Sequence, residues 1–311
     1  MDLSIRSNST GEAEQNRAEL FQLWGEVLTG RGDVSPTDAV IAELAAYFGI
    51  SEEEARGRCS NSNALSRDGW NSGDRSTAAG IIDFWNLNGP VFGITMSHVR
   101  QLTEDHPPSS IELALGLRHL PVGAMLDFGA GPGTNAMFFA RLGWKVTLAE
   151  VSTPMLQFAA WRAARRGITM AYIDSRTTEL PAHSFDVITA LEVMHIVPNV
   201  EQILRQLHVA LRPGGLLIFN VYAPPRGPET YSYLYEACWP VLRQVRRNGY
   251  RRHQRIAHMY VYERVHRGAM ATAVVDRLDA VRYNPYVTMV GDQVRRVRHH
   301  ARALKQKPRN A

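Results

Sequence analysis

The segment Ala124–Glu150, AMLDFGAGPGTNAMFFARLGWKVTLAE, decides how this chain folds. An apolar run is followed by glycines at positions 129, 131 and 133, then by a helical pattern, and a second apolar run ends on Glu150. A strand, a glycine turn, a helix and a second strand in this order predict a βαβ unit whose turn approaches a nucleotide.

The spacing of the glycines argues against a dinucleotide. The fingerprint G-x-G-x-x-G/A needs Gly or Ala where this chain has Thr134. Asp127 also stands at the end of the first strand, beneath the turn. A carboxylate at that place repels a pyrophosphate and attracts a cationic amino group. The segment therefore favours a positively charged nucleoside ligand.

The stretch LDFGAGPGT resembles the first motif of class I methyltransferases, which use S-adenosyl-L-methionine. Four further matches follow in order up to Asn220: EVSTPML, YIDS, SFDVITALEVMHIVPN and LRPGGLLIFN. The resemblance covers about a third of the chain and implies the Rossmann-like, doubly wound α/β sheet of that family. It implies the following cofactor-binding residues: Asp127, Gly129, Ala130, Gly131, Gly133, Glu150, Val151, Ser152, Met155, Asp174, Ser175, Leu191 and Glu192.

Four carboxylates in this set have distinct roles by the same resemblance. Asp127 and the backbone of the glycine turn would hold the methionine end of the cofactor. Glu150 would accept hydrogen bonds from both ribose hydroxyls, since a carboxylate offers two acceptor oxygens. Asp174 matches the acidic residue that contacts the adenine amine, and Glu192 would lie beside the cofactor.

His195 is the candidate general base. It follows the fourth predicted strand, so we expect it near the methyl group, and its ordinary pKa suits proton removal at neutral pH. The alternative is that this histidine only shapes the pocket or bonds a backbone carbonyl.

Strand and helix patterns alternate through the middle of the chain and predict a mostly parallel sheet. The predicted strands are Ala124–Phe128, Lys145–Glu150, Ile168–Ile173, Phe185–Ala190 and Leu216–Val221. We divide the chain into a helical cap or substrate region (1–118), a cofactor-binding core (119–221) and a C-terminal part that completes the sheet and carries a basic tail (222–311). The resemblance implies an antiparallel edge of two more strands, of which only HMYVYER is clear; ATAVV and YVTMV are candidates for the second.

The region before the core predicts several helices. Ser35, Pro36 and Gly49 are start and stop signals, and Ser51 with Glu54 forms a capping box. The polar stretch NSNALSRDGWNSGDRS is expected to separate these helices from two later ones, around residues 78–85 and 91–102, and EDHPPSS to be a linker. Aromatic and polar residues near these breaks suggest a lid, and the candidate substrate-binding residues are Trp70, Trp85, Asn86, His98, Tyr222 and Tyr231. Trp85 can equally be a core residue of a packed helix.

Composition narrows the class of protein. Two cysteines among 311 residues cannot build a disulfide framework, and the start of the chain lacks the apolar run of a signal peptide. We expect a soluble, cytoplasmic enzyme that binds no membrane. Residues 241–311 hold 17 Lys and Arg against 4 Asp and Glu. This basic part is a solvated helix face, a docking site for an acidic substrate or carrier, or an RNA-binding surface in which Tyr250 and Tyr260 stack bases.

The function predicted from these residues is methyl transfer from S-adenosyl-L-methionine to oxygen or nitrogen of a small-molecule acceptor, with no metal. Two alternatives involve nucleic acid: an RNA methyltransferase that uses the basic C-terminal region, and a cofactor-sensing regulator that binds DNA through a helix-turn-helix at residues 41–58. In the latter, Glu52, Glu53 and Glu54 would face DNA phosphates, so these helices are better explained as scaffold or as the contact of a homodimer.

Overall fold

The structure is a computed structural model, which describes residues 4–30, 35–87, 109–223, 227 and 230–265, with the backbone alone for residues 4–14 and 87. His98, the predicted helix at 91–102, most of the EDHPPSS linker, the candidate strands ATAVV and YVTMV and the basic tail beyond residue 265 lie outside these ranges.

Nine helices and seven strands lie within the described residues. The helices are α1 Ser4–Thr29, α2 Pro36–Phe48, α3 Glu52–Ser72, α4 Ala78–Leu87, α5 Ser109–Leu117, α6 Thr134–Arg141, α7 Thr153–Arg165, α8 Val200–Ala210 and α9 Trp239–Arg247. The strands are β1 Ala124–Phe128, β2 Lys145–Glu150, β3 Ala171–Asp174, β4 Phe185–Ala190, β5 Leu211–Phe219, β6 Tyr250–Ile256 and β7 Met259–Arg264.

The strands form one sheet in the order β3-β2-β1-β4-β5-β7-β6. The first five are parallel, while β7 runs antiparallel to both β5 and β6. The predicted doubly wound sheet is therefore confirmed, and β1, β2 and β4 have the predicted bounds. Because the strand order reverses beside β1, the segments that follow β1 and β4 run to opposite faces of the sheet and leave a crevice at the carboxyl ends of these strands.

Two strand predictions have the wrong bounds. β3 begins at Ala171 rather than Ile168, because the Ile168 N–H closes the end of α7 on the Ala163 carbonyl instead of joining the sheet. β5 begins at Leu211 and ends at Phe219, since Leu211 pairs with Phe185 across an irregularity in the ladder.

The basic segment at Tyr250–Ile256 is an edge strand, which the sequence did not indicate. Its basic residues Arg251, Arg252, His253 and Arg255 are exposed, as suits an edge that must not pair with other chains. Tyr250 is fully buried and donates its hydroxyl to the Leu204 carbonyl at 3.1 Å. The expectation that Tyr250 stacks a base is therefore wrong. Tyr260 stacks on Phe219, and the Arg255 guanidinium lies 4.1 Å from its ring centre.

The caps predicted for the N-terminal helices are present. The Ser35 side chain caps α2, Gly49 ends it in the left-handed conformation, and Ser51 accepts from the Glu54 N–H at 3.1 Å. The polar stretch after Ser60 was expected to break the chain, but α3 continues to Ser72. Ser62, Ser66 and Trp70 are four residues apart and buried, so one face of this polar helix packs inward. Asn199 directly precedes α8, but its side chain makes no capping bond.

The core consists of a cluster on each face of the sheet and a third between the N-terminal helices and α7. One sheet face is covered by α1, α5 and α6, and the other by α8 and α9. Leu28 of α1 and Leu44 of α2 pack against Phe158 of α7 in the third cluster. No helix within the described ranges combines the length and apolarity that a membrane span requires.

Candidate active site

The glycine turn lies at the carboxyl end of β1 and leads into α6. Gly129 has φ +68°, and a Cβ built on it would sit 2.4 Å from Val193 Cγ2. Gly131 has φ +55°, but a Cβ there would meet nothing within 4 Å among the described residues. Gly129 is therefore required by packing against the segment after β4, whereas Gly131 presents its backbone to open space.

Asp127 lies beneath this turn and is 2% exposed. Its Oδ1 accepts from the Thr189 hydroxyl at 2.6 Å and from Asn135 Nδ2 at 2.9 Å. Oδ2 is buried and has no hydrogen-bond partner among the described residues. Burial raises the pKa of the Asp127 carboxyl from 3.8 to about 6, against the hydrogen bonds that favour its charged form. The arrangement leaves one carboxylate oxygen without the cation or donor that would compensate its burial.

Glu150 ends β2 and is held by three backbone N–H groups. Its Oε2 accepts from Gly131 at 2.9 Å, and its Oε1 accepts from Val151 at 2.8 Å and Ser152 at 3.0 Å. Burial raises the pKa of the Glu150 carboxyl, and these N–H groups oppose that shift. Each carboxylate oxygen has two lone pairs, so the side chain can still accept further bonds while it is fixed to the glycine turn.

A cavity of about 1120 Å³ opens above these groups at the carboxyl edge of the sheet. Most of the predicted cofactor residues line it, namely Gly129, Ala130, Gly131, Glu150, Val151, Ser152, Met155, Ser175, Leu191 and Glu192. Asp127, Gly133 and Asp174 do not line it. The sheet therefore brings together residues that are up to 63 positions apart in sequence.

Asp174 is bound to its neighbours. Its Oδ2 accepts from the Thr153 hydroxyl at 2.7 Å and from Arg176, and its Oδ1 accepts from the Arg176 N–H at 3.0 Å. These hydrogen bonds lower the pKa of the carboxyl against partial burial. Contact of Asp174 with an adenine amine stays a prediction, and the four residues that follow it, Ser175, Arg176, Thr177 and Thr178, line the cavity.

His195 lies behind the cavity wall rather than on it. The residue is 2% exposed, and its ring centre is 4.2 Å from that of Tyr233. Its Nε2 lies 3.7 Å from Oε2 of Glu192, whose half-exposed side chain lines the cavity. Glu192 and Tyr233 are therefore residues of the cavity wall that lie beside the His195 ring.

Glu192 has φ +59°, which is unusual for a residue with a side chain. Asn220, at the end of β5, holds this conformation in two places: its Oδ1 accepts from the Glu192 N–H at 2.6 Å, and its Nδ2 donates to Oε1 at 2.5 Å. Strained backbone held by a buried partner is concentrated at functional sites.

The candidate substrate residues are dispersed. Of the described ones, only Trp85 lines the cavity, and its Nε1 has no acceptor among the described residues. Trp70 is buried against Phe84 and Trp85. Asn86 accepts from the Thr153 N–H at 3.0 Å and so fixes α4 to the start of α7. Substrate contact by Trp70 and Asn86 stays a prediction, and so does substrate contact by Tyr222 and Tyr231.

Tyr222 and Tyr231 also lie off the cavity wall. The ring of Tyr222 neighbours His195, and the Tyr231 hydroxyl donates to Ser66 at 2.7 Å. Sequence reasoning missed Asn135 and Tyr233, which do line the cavity. Asn135 immediately follows the glycine motif, so its position in sequence could have indicated it; nothing local marks Tyr233.

Within the described ranges no group of three or more His, Cys, Asp or Glu side chains could hold a metal ion.

Comparison with known proteins agrees with this geometry. Residues 126–219 match the family model for the methyltransferase domain. A ubiquinone biosynthesis O-methyltransferase of Caulobacter sp. (strain K31) is 35% identical over 97 residues, which are 30% of this chain and 38% of the relative. The protein of that name from Sodalis glossinidius (strain morsitans) is 32% identical over 167 residues, 53% of this chain and 63% of the relative. In both cases the match covers less than two thirds of the relative's length.

A solved structure of a SAM-dependent methyltransferase from Aquifex aeolicus has 18% identity, a TM-score of 0.41 and coverage of 54% of this chain and 96% of that one. A TM-score this low supports no conclusion about this chain. The family match, with the sheet order and the glycine turn, identifies residues 126–219 as a domain of the class I S-adenosylmethionine-dependent methyltransferase family.

Proposed function

We propose that this protein transfers a methyl group from S-adenosyl-L-methionine to an oxygen atom of a small-molecule acceptor. The observation that carries the proposal is the buried Oδ2 of Asp127, which lies beneath a glycine turn and lacks a hydrogen-bond partner among the described residues. The two relatives described above are both named ubiquinone biosynthesis O-methyltransferases, which favours oxygen over nitrogen as the acceptor atom.

The residues present fit this cofactor. The carboxylate of Asp127 suits a cationic amino group, and a phosphate at the same place would be repelled. Glu150 is already fixed to the turn by Gly131, so its remaining lone pairs can accept from a ribose diol without reorganisation. The open space at Gly131 allows a ligand to approach the backbone. When bound, the cofactor supplies a methyl group that its sulfonium has already activated.

The protein's remaining tasks are to orient the acceptor and to receive its proton. The Glu192 carboxylate is the group on the cavity wall that would take that proton, since Asn220 fixes it and His195 stands behind it at 3.7 Å. His195, the base expected from the sequence, would then act by accepting the proton from Glu192 or by holding the carboxylate in place. The bond between acceptor oxygen and methyl carbon forms as the carbon–sulfur bond breaks, with its electron pair left on sulfur.

The size and lining of the cavity support a small acceptor. About 1120 Å³ exceeds the volume usual for one drug-sized ligand, so the space suits a cofactor and a small second molecule. Trp85, Ile196 and Tyr233 provide apolar and aromatic surface on its walls. Enclosure by such side chains excludes water from the methyl group.

The nucleic-acid alternatives have less support. The RNA hypothesis rested on the basic C-terminal region with Tyr250 and Tyr260 as stacking platforms, and of these two rings that of Tyr250 is buried. In the DNA hypothesis α3 would enter the groove of a duplex, but its first turn exposes Glu52, Glu53 and Glu54, which DNA phosphates would repel. A cytoplasmic location and a homodimer stay predictions.

Calorimetric titration tests the cofactor. We expect S-adenosylmethionine and S-adenosylhomocysteine to bind, NADH not to bind, and Asp127→Asn to weaken binding. Asp68→Asn, on the exposed face of α3, is the matched control for the loss of a charge. Tight uptake of NADH with no heat from either sulfur nucleoside would contradict the proposal.

Transfer of a labelled methyl group to a panel of small hydroxyl and amine compounds then tests the reaction. Glu192→Gln and His195→Ala should bind S-adenosylhomocysteine and transfer methyl slowly. Undiminished turnover in either variant removes that residue from the proton path, and transfer to amines alone would exclude the oxygen assignment.

A further inference from the structure

A fully buried arginine lies where the N-terminal helices meet the cofactor-binding core. Arg162, on α7, has a side chain with 0% exposure, and Arg166 follows it one helical turn later with 7%. Burial lowers the pKa of Arg162 to about 10, and the neighbouring Glu43 opposes that shift. A guanidinium is taken out of water at such a place only if nearly all of its N–H groups find acceptors.

Some of the groups that accept hydrogen bonds from Arg162 and Arg166 belong to the N-terminal helices. Glu43 of α2 accepts from Arg162 Nε at 2.9 Å through one oxygen and from Arg166 Nη1 at 2.6 Å through the other. The Leu28 carbonyl, in the last turn of α1, accepts from both arginines at 3.1 and 2.9 Å. The two arginines therefore neutralise Glu43 and satisfy the end of α1, where helical carbonyls lack intrahelical partners.

The other acceptors belong to the glycine turn, and only Arg162 reaches them. Its Nη1 donates to the Pro132 carbonyl at 2.6 Å and to the Thr134 hydroxyl at 2.8 Å. Pro132 lies between Gly131 and Gly133, and Thr134 begins α6. Among the described residues Arg166, which shares Glu43 and Leu28 with Arg162, makes no hydrogen bond to this turn; its remaining partners are the carbonyls of Val27 and Arg162.

We infer that Arg162 is a positioning residue that holds the glycine turn in its ligand-binding shape, and that α1 and α2 set this shape through Leu28 and Glu43. The turn contains three glycines with positive φ, and glycines give the backbone little stiffness of their own. A planar fork with fixed donors stiffens it from outside. The N-terminal helices are then part of the cofactor site, although Glu43 does not line the cavity.

A comparison of two substitutions by two measurements tests this inference. Only the second measurement, that of ligand affinity, rests on the proposed function. Arg162→Met and Arg166→Met each remove a guanidinium from Glu43 and Leu28, but only the first releases the turn. Hydrogen exchange of the peptide spanning residues 129–134 is measured first, in the protein without ligand. We expect amide exchange about tenfold faster or more with Arg162→Met and within about threefold of the unsubstituted protein with Arg166→Met.

Affinity for S-adenosylhomocysteine is measured second. This affinity should fall about tenfold or more in Arg162→Met and less than about threefold in Arg166→Met. The difference is expected even when the two substitutions lower the melting temperature equally. If Arg162→Met does not fold, Arg162→Lys replaces it. An ammonium keeps the charge beside Glu43 but cannot reach Glu43, Leu28 and the glycine turn at once.

Equal effects of the two substitutions on the exchange of the turn would overturn the inference, since the junction would then stabilise the fold without positioning the turn. Absence of S-adenosylhomocysteine binding by the unsubstituted protein would instead count against the proposed function. The exchange measurement would still decide the role of Arg162 in that case.

Discussion

Replacing Asp127 by Asn should have opposite effects on stability and on cofactor binding. The carboxyl is buried beneath the glycine turn, its pKa is raised to about 6, and its Oδ2 has no partner among the described residues. In the ligand-free protein its charge is therefore unfavourable. With the cofactor bound, the same charge would face a cationic amino group.

The magnitude follows from the pKa. Raising it from 3.8 to about 6 makes ionisation in the folded chain cost about 3 kcal/mol near neutral pH. Because the folded state takes up a proton more readily than the unfolded state, this penalty disappears as the pH falls through 6. The asparagine amide has its own cost, about 1–3 kcal/mol, if its N–H₂ replaces Oδ2 and finds no acceptor. That cost does not depend on pH.

Urea unfolding of the unsubstituted protein and of Asp127→Asn at two pH values separates the pH-dependent cost of the Asp127 charge from the pH-independent cost of the asparagine amide. Between about pH 7.5 and pH 4.5 the unsubstituted protein should gain about 2 kcal/mol of unfolding free energy relative to Asp127→Asn. At neutral pH, affinity for S-adenosylhomocysteine should fall about 30-fold or more, since one partner of a buried charge pair is lost. A stability difference that is the same at both pH values, or an unchanged affinity, would refute the reasoning. Asp68→Asn should change neither quantity.

Three further substitutions have expected outcomes. Gly129→Ala should lower the unfolding free energy in urea by about 1–3 kcal/mol or more, because a side chain at φ +68° is strained and its Cβ meets Val193; an unaffected midpoint would contradict this. Glu150→Gln turns one acceptor oxygen into a donor and should weaken S-adenosylhomocysteine about tenfold in calorimetry, whereas equal affinity would show that one oxygen suffices. Tyr250→Phe should cost about 0.5–1.5 kcal/mol in urea unfolding through the lost bond to Leu204 and leave cofactor affinity unchanged; altered affinity would mean that β6 influences the site.

Most of the central sheet could be predicted from local pattern. Parallel strands buried on both faces produce apolar runs with sharp ends, so Ala124–Phe128, Lys145–Glu150 and Phe185–Ala190 are readable in the sequence. The polar helix α3 and the basic strand β6 were misinterpreted because, unlike those strands, they are buried on one face only. Their composition reflects the exposed face, and the few buried positions, such as Trp70 and Tyr250, depend on what packs against them.

The sequence by itself determined the glycine turn, its underlying Asp127 and the carboxylate of Glu150, because ligand chemistry restricts these positions to few residue types at fixed spacing. Tertiary structure alone decided which side chains meet them. Arg162 and Glu43 are 119 positions apart, and no local pattern indicates that they join α1 and α2 to the turn. His195 lies behind Glu192 for a similar reason: the direction of a side chain at the end of a strand depends on its neighbours, here Asn220 from the adjacent strand.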